Sequence, residues 1–384
     1  MRWSSATARG LQRPTTVMIT NTHDHVRKAN QSTGSAKAAV SRPELFFGID
    51  AADARQVVTR FIAGEGPKPA EGMSKDTLVR RVAQALKAGF RVHCVYEAGP
   101  TGFALARELI ALGAECLVVR PRNLERYGRR RKNDKRDSRQ LALDLANHCA
   151  GRTGLLIPVR LPTPEEELHR LPAREREALS DVRNQLLRSA RGRALALGYR
   201  LPKQWWRPRV LPTLLPALPP GVRQLLQRAA SAAAAIKEQL DLVEAEIVAG
   251  APAAPVGVGA LTAGVLDREV LDWDRFKSGK KAGSFIGLSP SEDSTGNRWQ
   301  LGPIDKHGNA RLRFWCVEAA WRLFKFQPNY RGVLWAREKM RTANTSRMKQ
   351  ISVALARRFF VDWWRVRTGR VTAAELGFTF KTAT

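Results

Sequence analysis

The sequence predicts an α/β domain followed by a mainly helical remainder, and three observations carry this. Short apolar, β-rich runs alternate with helical patterns between residues 43 and 160, as in a mixed or parallel sheet covered by helices. Two long helical patterns fill residues 161–249, the second with coiled-coil-like spacing. From 250 to 372 the apolar positions again follow helical spacing around a polar loop.

Residues 1–42 are rich in Ser, Thr, Asn and Gln with scattered Arg and Lys, and read as a disordered basic tail. The first strand is Leu45–Asp50, and a second, Gln56–Phe61, follows so closely that a hairpin is expected. A helix over 75–88 shows Leu78, Val79, Val82 and Leu86 on one face, and a strand over 92–96 ends at Glu97. A Gly-Pro-Thr-Gly turn leads into a helix over 103–112, then a strand over 115–119 and a helix over about 134–148. Thr163, Pro164 and Glu166 have the pattern of an N-cap, a first-turn proline and a capping box. The helix they start carries Leu168, Leu171, Leu179, Val182 and Leu186, with Pro172 as a local kink. A second helix over 222–248 carries Ile236, Leu240, Val243 and Ile247. The two could pair as an antiparallel hairpin or bind a second copy; both readings stay open. In the last section Gly257-Val258-Gly259 permits a tight turn, Leu312–Phe324 is an aromatic-rich helix, and 332–365 is again helical. Residues 373–384 read as a loose end.

The balance of 65 Lys plus Arg against 35 Asp plus Glu gives a formal net charge of +30. Such a surplus repels itself unless something anionic shares the surface, and nucleic acid is the usual partner. The four cysteines fit neither a zinc pair nor a disulfide framework. No apolar run is long enough to suggest a membrane span, and no signal peptide is apparent.

Four acids share a chemistry. Asp50 and Glu97 close two strands, and strand ends are where an α/β domain presents functional groups. Asp134 and Asp137 are three residues apart, on one face of a helix. Together they offer hard oxygen donors suited to Mg²⁺ or Mn²⁺. The stretch 120–139 holds ten Arg or Lys and three acids, a pattern that fits metal and phosphate meeting there. The alternative, aspartates merely paired with neighbouring cations on a solvated helix, also fits the spacing.

The motifs FFGIDAA (46–52), VYEAGPTGF (95–103), KNDKRDSRQLA (132–142), GVGALTA (257–263) and FIGLSPSEDSTGNRWQLGPIDKHGNARLR (285–313), followed by VEAAW, occur in this order. Through them the chain resembles the bridge-RNA-guided transposases of bacterial insertion sequences over about residues 44–330. The resemblance implies an RNase H-like (RuvC-like) mixed-sheet domain over 43–160 with a DEDD tetrad of Asp50, Glu97, Asp134 and Asp137, which are both metal-holding and catalytic. The section over 161–249 is read from its spacing as a coiled-coil oligomerisation section, a plain helical linker fitting as well, and the resemblance implies a transposase domain over 250–372 with a catalytic serine. That serine matches Ser294, with Thr295 as the fallback and Ser289 and Ser291 as weaker candidates. The implied reaction is serine attack on a DNA phosphodiester, giving a covalent protein–DNA intermediate with divalent-metal assistance.

The implied partners are double-stranded target and donor DNA, a structured noncoding bridge RNA and further copies of the chain, as a dimer or a tetramer. No membrane is involved, and the expected setting is the bacterial cytoplasm at the nucleoid. Arg129, Arg130, Arg131, Lys132, Lys135 and Arg136 are the expected nucleic-acid contacts of the first domain. Those of the last domain are Arg298, Trp299, Lys306, Arg311 and Arg313, with His307 nearby. Trp315 and Trp321 read as core or interface residues. At least one of the adjacent Trp205 and Trp206 is expected to face RNA or another subunit, because neighbours cannot share a helix face. The rival functions are a nuclease or junction resolvase that uses water on the same acids, and a nonenzymatic binding protein.

Overall fold

The computed structural model describes residues 42–121, 134–152, 154–292 and 301–380. The basic tail expected over 1–42 therefore lies outside the described residues, Arg42 excepted. The chain divides into two compact units, Met1–Leu161 and Pro162–Thr384.

The first unit is a five-stranded mixed sheet flanked by helices. In chain order its elements are β1 (Glu44–Asp50), β2 (Gln56–Ile62), β3 (Glu71–Met73), α1 (Lys75–Lys87), β4 (Arg91–Glu97), α2 (Ala104–Ala111), β5 (Glu115–Val119) and α3 (Asp134–Cys149). The strand order is β3-β2-β1-β4-β5. β1, β2 and β3 pair antiparallel, while β1–β4 and β4–β5 are parallel. Side chains alternate across a strand, so the continuous apolar run of β1 feeds two cores. Leu45, Phe47 and Ile49 pack with Leu78 and Val82 of α1 and Leu105 and Leu109 of α2. Phe46 and Val95 pack on the other face with Leu141 and Leu145 of α3. This arrangement is consistent with an RNase H-like core.

The second unit is mainly helical. It opens with α4 (Pro164–Ala196), then α5 (Leu211–Leu214), a single 3₁₀ turn (Leu215–Ala217) and α6 (Pro220–Ala249). The capping box is present: Thr163 accepts from the Glu166 amide, and Glu166 accepts from the Thr163 amide. α4 runs through Pro172 as one helix. α4 and α6 pair antiparallel within the chain. Ala173 meets Ile247, Arg176 bonds Glu244 at 2.9 Å, and Leu187, Ala190 and Ala194 pack in one cluster with Val222, Leu226, Ala229 and Ala233. On α6 the expected stripe is the packed one, Leu240 and Ile247 being buried. On α4 it is not: Leu168, Leu171 and Val182 are exposed, Leu168 at 66%. The seam there is largely alanine, because small side chains let the two helices approach closely. The hairpin is formed within one chain; a coiled coil is not specifically shown.

Trp205 is fully buried in the core where this hairpin closes, and Trp206 packs edge-on against it at 6.2 Å. Their segment is a series of turns rather than a helix, so both rings reach the core, Trp205 buried and Trp206 half-buried.

The rest comprises α7 (Ala260–Val270), α8 (Gly279–Phe285), the hairpin β6 (Pro290–Glu292) and β7 (Leu301–Ile304), then α9 (Ala310–Phe326), α10 (Arg331–Met340) and α11 (Thr345–Arg367). The helix expected over 332–365 is two helices, restarted where Asn344 caps the Arg347 amide at 2.9 Å. Their core holds Leu266, Ile286, Leu312, Leu323, Phe359, Phe360 and Trp363. Gly257, at a φ of 94°, lies so close to Phe326 that a Cβ would overlap its ring, and the expected tight turn is there. Trp315 packs against this core, whereas Trp321 is 51% exposed, which leaves only the interface half of the reading open for it.

Residues 373–380 are held rather than loose. Leu376 and Phe378 are buried, and Tyr330 stacks on Phe378 at 4.3 Å. The buried Gln327 amide donates to the carbonyls of Val256 and Thr379 and accepts from the Thr379 amide.

The packing contrast between two tryptophans is directly measurable. Trp205→Ala should destabilise the protein by about 3–5 kcal/mol, the usual loss for a large aromatic removed from a core. Trp321→Ala should stay within about 0.5 kcal/mol of wild type. Equal effects in urea melts would refute this assignment of core and surface.

Candidate functional site

The carboxylate edge of the first unit is set by strand register. Ile49 of β1 stands opposite Tyr96 of β4, so the next residue on each parallel strand is Asp50 and Glu97. Neighbouring strands lie about 4.8 Å apart, which places these two half-buried acids side by side at the C-terminal edge of the sheet. By alternation both lie on the face of Gly48 and Val95, the face that α3 covers.

Gly48 is what lets α3 lie there. A Cβ at this position would overlap the Ser138 carbonyl oxygen and the Ala142 nitrogen, so helix backbone rests directly on strand backbone. Phe46, earlier in β1, packs beside Leu141 and Leu145, so α3 runs opposite to β1 and its first turn points to the Asp50 edge. That first turn carries Asp134 and Asp137. A buried hydroxyl pair fixes it: Thr59 Oγ1 of β2 lies 3.0 Å from Ser138 Oγ, and Ser138 donates to the Lys135 carbonyl at 3.2 Å. Asp134 and Lys135 line an open hollow of about 580 Å³ with Ala52, Arg55, Val57 and Gly72.

All four acids singled out in the sequence are thus brought to one edge, Asp134 exposed and Asp137 half-buried. Their donor chemistry, carboxylate oxygen throughout, fits a hard divalent cation. They are not closed around a point: among the described residues no three His, Cys, Asp or Glu side chains form a group able to hold a metal ion. Gly48, Thr59 and Ser138, which position the edge, were not singled out in the sequence. A glycine inside an apolar strand was the available signal, since it marks a close backbone approach.

The expected cations divide into three sets. Arg129, Arg130, Arg131, Lys132, Arg298 and Trp299 lie outside the described residues, as do Ser294 and Thr295. Lys135, Arg136 and Lys306 are exposed, Lys306 in the left-handed region at a φ of 58°. Arg311 and Arg313 are committed to the protein. Arg313 donates to the carbonyls of Ile286 and Lys306, clipping the polar loop to α9. Arg311 donates to Glu177 of α4 at 2.6 Å and to Glu269 of α7 at 2.8 Å. Glu269, only 1% exposed, also accepts from Asn309 at 2.9 Å, and Asn309 in turn caps α9. Arg311 is therefore a structural tie, at the rim of a hollow of about 450 Å³ that Phe314 and Trp315 also line. Of the weaker serine candidates, Ser289 shares a hydrogen bond with Ser284, and Ser291 donates to the Pro303 carbonyl.

The cysteines are not poised as nucleophiles. Burial pushes the Cys116 thiol up to about 12 and Cys149 up to about 11, and Cys94 and Cys316 are raised by the same cause. No helix among the described residues is long and apolar enough to cross a membrane.

Residues 255–333 match the family model described as Transposase IS116/IS110/IS902 family. Two proteins of Sinorhizobium fredii (strain NBRC 101917 / NGR234), named "Putative transposase y4qE" and "Putative transposase y4rJ", are similar over most of the chain. The first is 29% identical over 374 residues, covering 88% of this chain and 92% of the relative. The second is 28% identical over 369 residues, covering 84% and 91%. The transposase for insertion sequence element IS1111A of Coxiella burnetii is 25% identical over 281 residues, covering 69% and 75%.

Two substitutions separate positioning from charge. Gly48→Val should cost about 1–3 kcal/mol through overpacking, and should displace α3 from the edge. Wild-type stability with an unchanged NMR environment for Ser138 would overturn this. Arg311→Ala should cost about 3 kcal/mol, because it leaves the buried Glu269 carboxylate with only Asn309 and the more distant Arg174. A residue serving only nucleic acid would melt like wild type when replaced.

Proposed function

We infer from these similarities, which support a transposase/recombinase family assignment and a DNA-acting enzyme of that class, that the chain is an RNA-guided DNA transposase. It cleaves and rejoins DNA strands, moving an insertion sequence, through a covalent serine–DNA intermediate. The observation that carries the catalytic part is the register of Asp50 beside Glu97, with the Asp134–Asp137 turn of α3 at the same edge.

In this reading Asp50, Glu97, Asp134 and Asp137 hold Mg²⁺ or Mn²⁺. When bound, the ion neutralises phosphate charge and favours the developing alkoxides of phosphoryl transfer. The chain's own groups do the rest. Lys135 and Arg136, exposed beside the acids, and Arg129–Lys132 just before them balance the DNA backbone. Ser294, or Thr295 in its place, supplies the hydroxyl. Its oxygen bonds to phosphorus, the bond to a deoxyribose oxygen breaks, and the hydroxyl proton ends on that leaving oxygen. The stored phosphodiester lets the strand be rejoined without outside energy. Lys306, with Arg298 and Trp299, touches nucleic acid in the second unit.

The partners in this reading are a structured noncoding RNA that pairs with target and donor DNA, both duplexes, and further copies of the chain joined through the coiled-coil section. Base pairing would set sequence choice and the protein would read backbone. The net charge of +30 supports a polyanionic partner of that scale.

The test supplies the purified chain with the RNA encoded beside its gene, matched duplexes and Mg²⁺. Recombinant strands should form, and chelation should stop them. A denaturant-resistant adduct should map by mass spectrometry to Ser294 or Thr295. Asp134→Ala should lower the rate by about two orders of magnitude or more while DNA binding persists. Full activity of Asp134→Ala would end the tetrad assignment. Metal-dependent cleavage without an adduct would mark a hydrolytic nuclease instead.

A further inference from the structure

The α4/α6 hairpin segregates charge along its length. Every Asp and Glu of the two helices falls within 165–181 or 238–246, the end where Arg176 meets Glu244. Between Val182 and Lys237 there is no acidic residue at all, and eleven are Arg or Lys. This is the closed end, where Leu187, Ala190 and Ala194 pack on Val222, Leu226 and Ala229 and the connection folds over both helices.

The cations at this end are exposed, and the backbone that carries them is held in place. Arg188 and Arg193 stand out from α4, and Arg223 and Arg228 from α6. The connection adds Arg200, Lys203, Arg207 and Arg209, all exposed. Among the described residues none of these eight ion-pairs with a carboxylate; Arg223 donates only to the Leu218 carbonyl. The connection is held by buried Leu201, Trp205 and Leu218, so its cations are carried on a packed platform. Folding does not demand such clustering, because surface positions at either end of a hairpin are equally wet. Like charges gathered without counter-charge oppose folding unless an anionic partner shares them.

The chemistry narrows the partner. Recognition of unpaired bases uses exposed aromatic rings. Here Trp205 is buried, and Trp206 and Tyr199 pack against the same core. With Trp206 and Tyr199 half-buried, what is offered outward is chiefly cationic, the character of a backbone reader. We propose that the closed end of the α4/α6 hairpin binds the phosphate backbone of double-stranded DNA without regard to sequence. The choice of DNA rests on the transposase reading above.

The test uses the full chain carrying Arg200→Gln, Lys203→Gln, Arg207→Gln and Arg209→Gln. Binding to duplex DNA of arbitrary sequence is followed by fluorescence anisotropy over a range of NaCl concentrations. The variant should bind about tenfold more weakly or worse near 0.1 M salt, and the slope of log K against log salt should flatten by about 2–4. Arg188→Gln with Arg228→Gln should shift both quantities in the same direction by less, and decides the matter if the fourfold variant melts early. Wild-type affinity and slope in both variants would overturn the proposal. So would a loss confined to single-stranded DNA or to duplex RNA. Strand exchange by the wild type is scored separately: duplex binding that depends on these cations without any exchange would count against the transposase reading and leave this surface standing.

Discussion

The first unit depends on one contact between main chains. At Gly48 the middle strand of the sheet has no side chain on one face, and α3 settles onto it through the Ser138 carbonyl and the Ala142 nitrogen. Two features of the carboxylate edge follow from that approach. The helix is held close enough for Thr59 and Ser138 to share a buried hydrogen bond, and its first turn is delivered to the strand ends. Any larger side chain would lift the helix, and the acids of the helix would part from those of the sheet. The register of β1 on β4 then needs no further device to put Asp50 beside Glu97.

The second unit is organised by a buried charge rather than a bare backbone. Glu269 lies on α7, yet its partners come from the start of α9 through Asn309 and Arg311, with Arg174 of α4 at 3.6 Å. One carboxylate thereby ties three helices whose residues are far apart in sequence. Buried ion pairs of this kind contribute little net stability against a well-packed apolar core, but they are expensive to break from one side. The gain is therefore in fixing one arrangement, and the arrangement it fixes sets the entry of the helix that follows the polar loop.

Periodicity made the elements readable. The apolar run of β1, the helix stripe of α6 and the capping box at Thr163 are local patterns, and each corresponds to an observed element. The acids at the ends of β1 and β4 were readable for the same reason, because apolar runs that stop at a carboxylate announce a strand end. The α4 seam was not, since Ala173, Ala190 and Ala194 carry little hydropathy signal and the larger leucines nearby face outward. Trp205 and Trp206 misled because a helix was assumed where the chain turns. The ties of Arg311 were not readable, because its partners, Glu177 and Glu269, are 134 and 42 residues away in sequence. Contacts at that separation leave no local trace.

Gln327 makes the second unit sensitive to changes far from the candidate catalytic residues. Its amide grips residue 379 from both sides, and the ring of Phe378 lies flat on Tyr330, whose hydroxyl is spent on the buried Asp362. A nonsense or frameshift mutation just upstream of Leu376 would spare every candidate catalytic position, yet would uncover that aromatic shelf and leave the glutamine's polar atoms without partners. Loss of this segment would thus disable the fold of the second unit while leaving the acids of the first unit untouched.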